Sequence, residues 1–85
     1  MNKNKQYLAV VLNDYGVTNE IYKGQYVLVS KNVPEYGDVF YDVCELNTNK
    51  YISVYFNYRF KILSDIPYNK LTKEQIESLM MVDSI

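Results

Sequence analysis

The sequence predicts a mainly β domain closed by one short C-terminal α-helix, and three observations carry that expectation. β-Branched and aromatic residues (Val, Ile, Thr, Tyr, Phe) make up well over a third of the chain, whereas alanine occurs once, at Ala9. Such side chains suit a pleated, half-buried surface and lose rotamer freedom in a helix. Short apolar or alternating runs are separated by clusters of Asn, Asp, Gly and Pro. Finally, the period changes from two to three-and-four after Leu71. The 85 residues carry a 48% hydrophobic content that includes ten tyrosines. A chain of this length forms one domain with a thin core, in which each buried aromatic weighs heavily. Residues 1–85 are therefore read as one unit: a polar arm over 1–5, β structure over about 6–63, and a helix over about 72–82.

Taking the elements in order, Tyr7-Leu8-Ala9-Val10-Val11-Leu12 is a continuous apolar run, the pattern of a well-buried strand. Asn13-Asp14-Tyr15-Gly16 supplies turn formers. Val17 to Lys23 has no clean period and suits a short ragged strand. Gln25 to Lys31 is a strand, Lys31 to Asp38 a loop shaped by Pro34 and Gly37, and Val39 to Leu46 the next strand. Asn47-Thr48-Asn49-Lys50 makes a four-residue hairpin loop, followed by strands at Tyr51–Phe56 and Phe60–Leu63. Keeping apolar side chains on one face opposes Val43 to Val54 and Tyr41 to Phe56. A three-residue turn at Asn57-Tyr58-Arg59 then forms a hairpin opposing Phe56 to Phe60 and Val54 to Ile62. Asp42, Cys44, Tyr51, Ser53, Tyr55 and Lys61 fall on the outer face.

At the C-terminus, Thr72-Lys73-Glu74-Gln75 fits a capping box, with Leu71 and Ile76 placed for a hydrophobic staple. Ile76, Leu79 and Met80 form an apolar stripe at i, i+3, i+4. Covering an open end of the sheet is the expected role of this helix, and docking a partner in its groove the alternative.

Composition excludes much chemistry. There is no histidine, the usual neutral-pH proton shuttle and commonest metal ligand. One cysteine excludes an internal disulfide and any multi-thiolate metal site. No phosphate-cradling glycine motif occurs. Cys44 lacks a base to activate it, and its strand position predicts a neutral thiol. Asp38 and Asp42 are read as a turn former and a solvated strand residue rather than a catalytic or metal-binding pair. Neither catalysis nor a cofactor nor a metal is expected. A formal charge of −1 argues against a histone-like basic protein or an acidic nucleic-acid mimic. No apolar run reaches membrane-spanning length, and the polar start Met1-Asn2-Lys3-Asn4-Lys5-Gln6 points to the cytoplasm.

The remaining candidate site is a sheet face bearing Tyr51, Tyr55, Arg59 and Lys61, with Tyr36 in the preceding loop. Tyrosine and arginine are common anchors of protein interfaces. Aromatic rings interleaved with cations also stack bases and neutralise phosphates, so a single-stranded nucleic acid or nucleotide is the alternative ligand. A solvated face with no ligand is the bland reading of the same residues. As a surface feature, this face should tolerate joint replacement of Tyr55 and Arg59 by alanine at a cost of about 1 kcal/mol.

The segments Lys23-Gly24-Gln25-Tyr26-Val27-Leu28-Val29, Val33-Pro34-Glu35-Tyr36-Gly37-Asp38, Tyr41-Asp42-Val43, Tyr51-Ile52-Ser53-Val54 and Arg59-Phe60-Lys61-Ile62-Leu63 together resemble the small SH3-like barrel proteins of phages and mobile elements in low-GC bacteria. The likeness covers about residues 23–63. Abundant Asn, Lys, Tyr and Ile agree with AT-rich coding. The resemblance implies a five-stranded barrel and carries over no catalytic residue. It implies a binding module that occludes a host or defence protein, with a structural assembly subunit as a third reading.

Overall fold

The computed structural model describes residues 5–13, 20–32 and 39–82. Five strands, β1 (Tyr7–Val11), β2 (Tyr26–Lys31), β3 (Phe40–Glu45), β4 (Tyr51–Phe56) and β5 (Phe60–Ile62), precede one helix, α1 (Lys73–Val82). They form a single antiparallel sheet in the order β4-β3-β2-β1-β5. Short 3-10 turns occupy Asn57–Arg59 and Tyr68–Lys70. Strand positions and the helix follow the sequence expectation to within a residue or so. Glu20 to Lys23, the described part of the expected ragged strand, is not strand. The expected turn at Asp14–Gly16, the loop at Val33–Asp38 and the arm at Met1–Asn4 lie outside the described residues.

β1 shows why its apolar run is unbroken: all five residues are buried. Tyr7, Ala9 and Val11 join Ile21, Val27, Val29, Val43 and Phe60 in the main core, flanked by the half-buried Tyr41, Ile52, Tyr55 and Ile62. Leu8 and Val10 point to the other face, opposite Leu28 and Tyr26, and are just as buried. The C-terminal segment docks on that second face. Tyr68 N–H donates to the Gln6 carbonyl at 2.8 Å, and Tyr26 Oη donates to the Met80 carbonyl at 2.6 Å. α1 starts with the expected box: Gln75 N–H donates to Thr72 Oγ1 at 3.1 Å, and Thr72 N–H to Gln75 Oε1 at 2.8 Å. These two bonds satisfy donors that the first helical turn leaves without partners.

Two expectations about strand pairing are corrected. First, β3 and β4 pair as Phe40↔Phe56, Tyr41↔Tyr55, Asp42↔Val54 and Val43↔Ser53, one residue away from the expected register. A one-residue slip exchanges the two faces of a strand. Val54 and Phe56, expected in the core, are 41% and 44% exposed, while Tyr55 turns inward. A bulge makes this register compatible with the hairpin loop. Beyond Val43 the pairing shifts so that Cys44 opposes Tyr51, which returns Ile52 to the core side. The loop is held by Glu45 N–H on the Lys50 carbonyl and Asn49 N–H on the Glu45 carbonyl. Asn49 takes φ 59°, a left-handed conformation that asparagine tolerates well.

Second, β5 does not fold back on β4. The 3-10 turn carries it to the free side of β1, where Phe60 opposes Val11 and Ile62 opposes Ala9. Leu12 N–H to the Arg59 carbonyl and Leu63 N–H to the Leu8 carbonyl extend this ladder at both ends. Burial explains the choice: pairing with β1 puts Phe60 at 6% exposure inside the main core. Among the described residues β4 is left as a sheet edge.

Candidate functional site

The altered register breaks up the expected tyrosine, arginine and lysine face. Arg59 is buried, at 6% exposure. Its guanidinium sits over the Tyr55 ring at 5.0 Å from the centroid. Its Nε and Nη2 donate to Asn13 Oδ1 and the Asn13 carbonyl, each at 3.3 Å. Tyr55 packs edge-on against Phe60, with ring centres 6.2 Å apart, and its hydroxyl donates to Glu20 Oε1 at 3.0 Å. These two residues are thus a structural pair that holds Asn13 and Glu20. Lys61 is exposed, but on β5, which is separated from β4 by three strands. Tyr36 lies outside the described residues. Of the expected set, Tyr51 alone lies on the exposed face of β4, at 56% exposure.

What replaces that face is an aromatic row built around Phe56, which the sequence reading placed in the core. Phe40 and Phe56, directly opposite each other, have ring centres 4.7 Å apart. Phe56 in turn stacks on Tyr58 at 5.4 Å with an interplanar angle of 18°. Val54 and Tyr51 continue the same side of the sheet, and Tyr58 is 63% exposed. The 3-10 turn presents Tyr58 beside Phe56 instead of sending it along a hairpin. Aromatic pairs in such offset or tilted arrangements attract each other beyond their buried area, so the row is a preformed surface.

The polar border of the row is Asp42, opposite Val54. Its Oδ1 accepts from Asn32 Nδ2 at 2.8 Å and from Tyr51 Oη at 3.4 Å. Partial burial and the neighbouring Asp42 charge push the Tyr51 phenol above its ordinary range, so it stays a neutral donor. Burial likewise raises the Cys44 thiol, outweighing a hydrogen bond from Gln6, with the Asp42 charge acting in the same direction as burial. A thiol kept protonated at neutral pH is a poor nucleophile.

Elsewhere, an open groove of about 400 Å³ runs between Ile66 and α1, lined by Ser64, Leu71, Glu74, Gln75, Ser78 and Leu79. Among the described residues no three acidic or thiol side chains come together as a metal would need, and no helix is long and apolar enough to cross a membrane. Comparison with known proteins adds no relative: no protein-family model, no curated protein and no solved structure matches the chain.

Proposed function

We propose that this chain is a non-catalytic binding module that captures and occludes a protein partner through the row Phe40, Phe56 and Tyr58, bordered by Val54, Tyr51 and Asp42. The observation that carries this reading is the exposure of Phe56 and Tyr58, stacked on each other at the edge strand, with the half-buried Phe40 tilted against Phe56 from β3. Aromatic side chains that lose little entropy on burial anchor protein interfaces, and a contiguous exposed apolar patch is where such an interface forms. The strand order, with β5 returning to β1 through a 3-10 turn, supports assigning the sheet to the small SH3-like barrels. From the same resemblance come the proposed setting, the cytoplasm of a bacterial host, and the proposed target, a host or defence protein.

Charge favours protein over nucleic acid as the ligand. Aromatic stacking platforms for single strands are flanked by cations that follow the backbone. Here the charged side chain bordering the row is Asp42, while Arg59 is buried on Asn13 and Lys61, though on the same side of the sheet, lies three strands away on β5. The test compares immobilised wild type, Phe56→Ala/Tyr58→Ala and Lys61→Ala in lysate of a low-GC bacterium, with retained proteins identified by mass spectrometry. A protein held by wild type and Lys61→Ala, and weakened about thirtyfold or more by the aromatic pair, is the expected result. Identical retention by all three refutes the site. Retention of oligonucleotides with a steep salt dependence would favour the nucleic-acid reading instead.

A further inference from the structure

The two edges of the sheet differ in how they are guarded. β5 is three residues long and carries Lys61, the short, charged edge that resists pairing with another strand. β4 is six residues long, Tyr51-Ile52-Ser53-Val54-Tyr55-Phe56, without a charge, a proline or a glycine. That composition is a strong strand-pairing signature. Its backbone is positioned to pair. Asn57 N–H donates to the Val39 carbonyl at 2.7 Å, which makes Phe40↔Phe56 a non-hydrogen-bonded pair of the antiparallel ladder. By alternation Tyr41↔Tyr55 is hydrogen-bonded and Asp42↔Val54 is not. The peptide groups of Val54 and the N–H of Phe56 therefore face away from β3, towards the open edge.

We infer that β4 pairs antiparallel with β4 of a second copy of this chain, forming a two-fold dimer with one continuous sheet. The occupant follows from charge: two uncharged strands meet with no like-charge pair in any register, and each offers the other the same β-rich sequence. Such an isologous contact uses up β4 in both copies. The ends of the dimer are then the short, lysine-bearing β5 edges, so the assembly stops at two. The dimer also joins two Phe40-Phe56-Tyr58 rows side by side, doubling the surface proposed for the partner. The inference does not depend on that partner, because its test contains the purified chain alone.

Phe56 provides the test. Its φ of −63° is the value proline imposes, and Tyr55 before it is extended, as proline requires. Phe56→Pro thus removes the outward N–H without straining the backbone or breaking a bond to β3, whereas Phe56→Ala removes the ring and keeps the N–H. Sedimentation equilibrium of the full chain should give twice the 10.0 kDa chain mass. The Phe56→Pro dimer should be about thirtyfold weaker than that of Phe56→Ala, because two symmetry-related backbone bonds are lost. Val54→Lys, which places a cation on the edge, should be folded and monomeric, with a cooperative melt whose midpoint no longer depends on protein concentration, and it decides the question if Phe56→Pro does not fold. A wild type of single-chain mass up to millimolar concentration overturns the inference, as does a folded Val54→Lys that remains dimeric. Equal weakening by Phe56→Pro and Phe56→Ala would overturn edge pairing in favour of face-to-face stacking of the aromatic rows.

Discussion

Replacing Arg59 with alanine is expected to destabilise the domain by about 2–4 kcal/mol. The guanidinium donates twice to Asn13, both times at 3.3 Å. Hydrogen bonds from charged groups contribute about 1.5–3 kcal/mol each when short, so these long ones belong at or below the bottom of that range. Its position 5.0 Å over the Tyr55 ring adds about 0.5–2 kcal/mol. The buried aliphatic stem adds about 0.8 kcal/mol for each methylene lost. Relief from burying a charge offsets part of the sum. For a domain of this size each kcal/mol moves the melting temperature by about 4–8 °C, so a drop of roughly 10–30 °C should appear in a thermal melt followed by far-UV circular dichroism. Arg59→Lys retains the charge but lacks the planar fork and the stacking, and should recover only part of the loss. Lys61→Ala on exposed β5 should melt with the wild type. If Arg59→Ala and Lys61→Ala melt together, the buried placement of Arg59 is wrong and the surface reading of its sequence position stands.

Further expectations follow from single residues. Val43→Ala should cost about 1–4 kcal/mol, because Val43 is wholly buried, whereas Val54→Ala on the exposed face should stay within about 0.5 kcal/mol; a denaturant titration giving the reverse order would restore the register read from sequence. Thr72→Ala should cost about 0.5–2 kcal/mol through loss of the capping box, read as a lower melting temperature with the sheet spectrum retained, and an unchanged melt would count against it. Cys44 should be alkylated more slowly by iodoacetamide in the folded chain than in urea, since burial raises its thiol. The folded thiol holds its proton to higher pH than the unfolded one, so its effect on stability is absent at neutral pH and turns unfavourable as pH climbs through the ordinary cysteine range. Faster alkylation of the folded form would contradict this.

Much of the fold is legible in the sequence because local signals agree with it. The unbroken run Tyr7–Val11 marks a strand buried on both faces, and Thr72 with Gln75 marks where the helix starts. The site is not legible, for a reason located in β4. There Ile52, Val54 and Phe56 alternate with Tyr51, Ser53 and Tyr55, and pattern alone assigns the more apolar set to the core. Tyrosine defeats that rule: Tyr55 buries its ring against Phe60 while its hydroxyl reaches Glu20 at the rim. The bulge opposite Val43 and Cys44 then lets Ile52 stay inside while Val54 and Phe56 turn out. The hairpin expected at Asn57–Arg59 fails for a non-local reason, since β1 offers Phe60 a buried partner that no local pattern encodes. Arg59 reads as a surface cation because arginine is almost never fully buried without a partner, and its partner, Asn13, is 46 residues away.

The register of β4 decides which side chains are available to a ligand, and cross-strand Hα–Hα contacts in solution NMR measure it directly. Such contacts are strongest between non-hydrogen-bonded antiparallel pairs, whose Cα atoms approach to about 4.5 Å. The pairing described above predicts strong Asp42–Val54 and Phe40–Phe56 cross-peaks. Cross-peaks joining Val43 to Val54 or Tyr41 to Phe56 would return Phe56 to the core, expose Tyr55, and remove the aromatic row on which the proposed function stands.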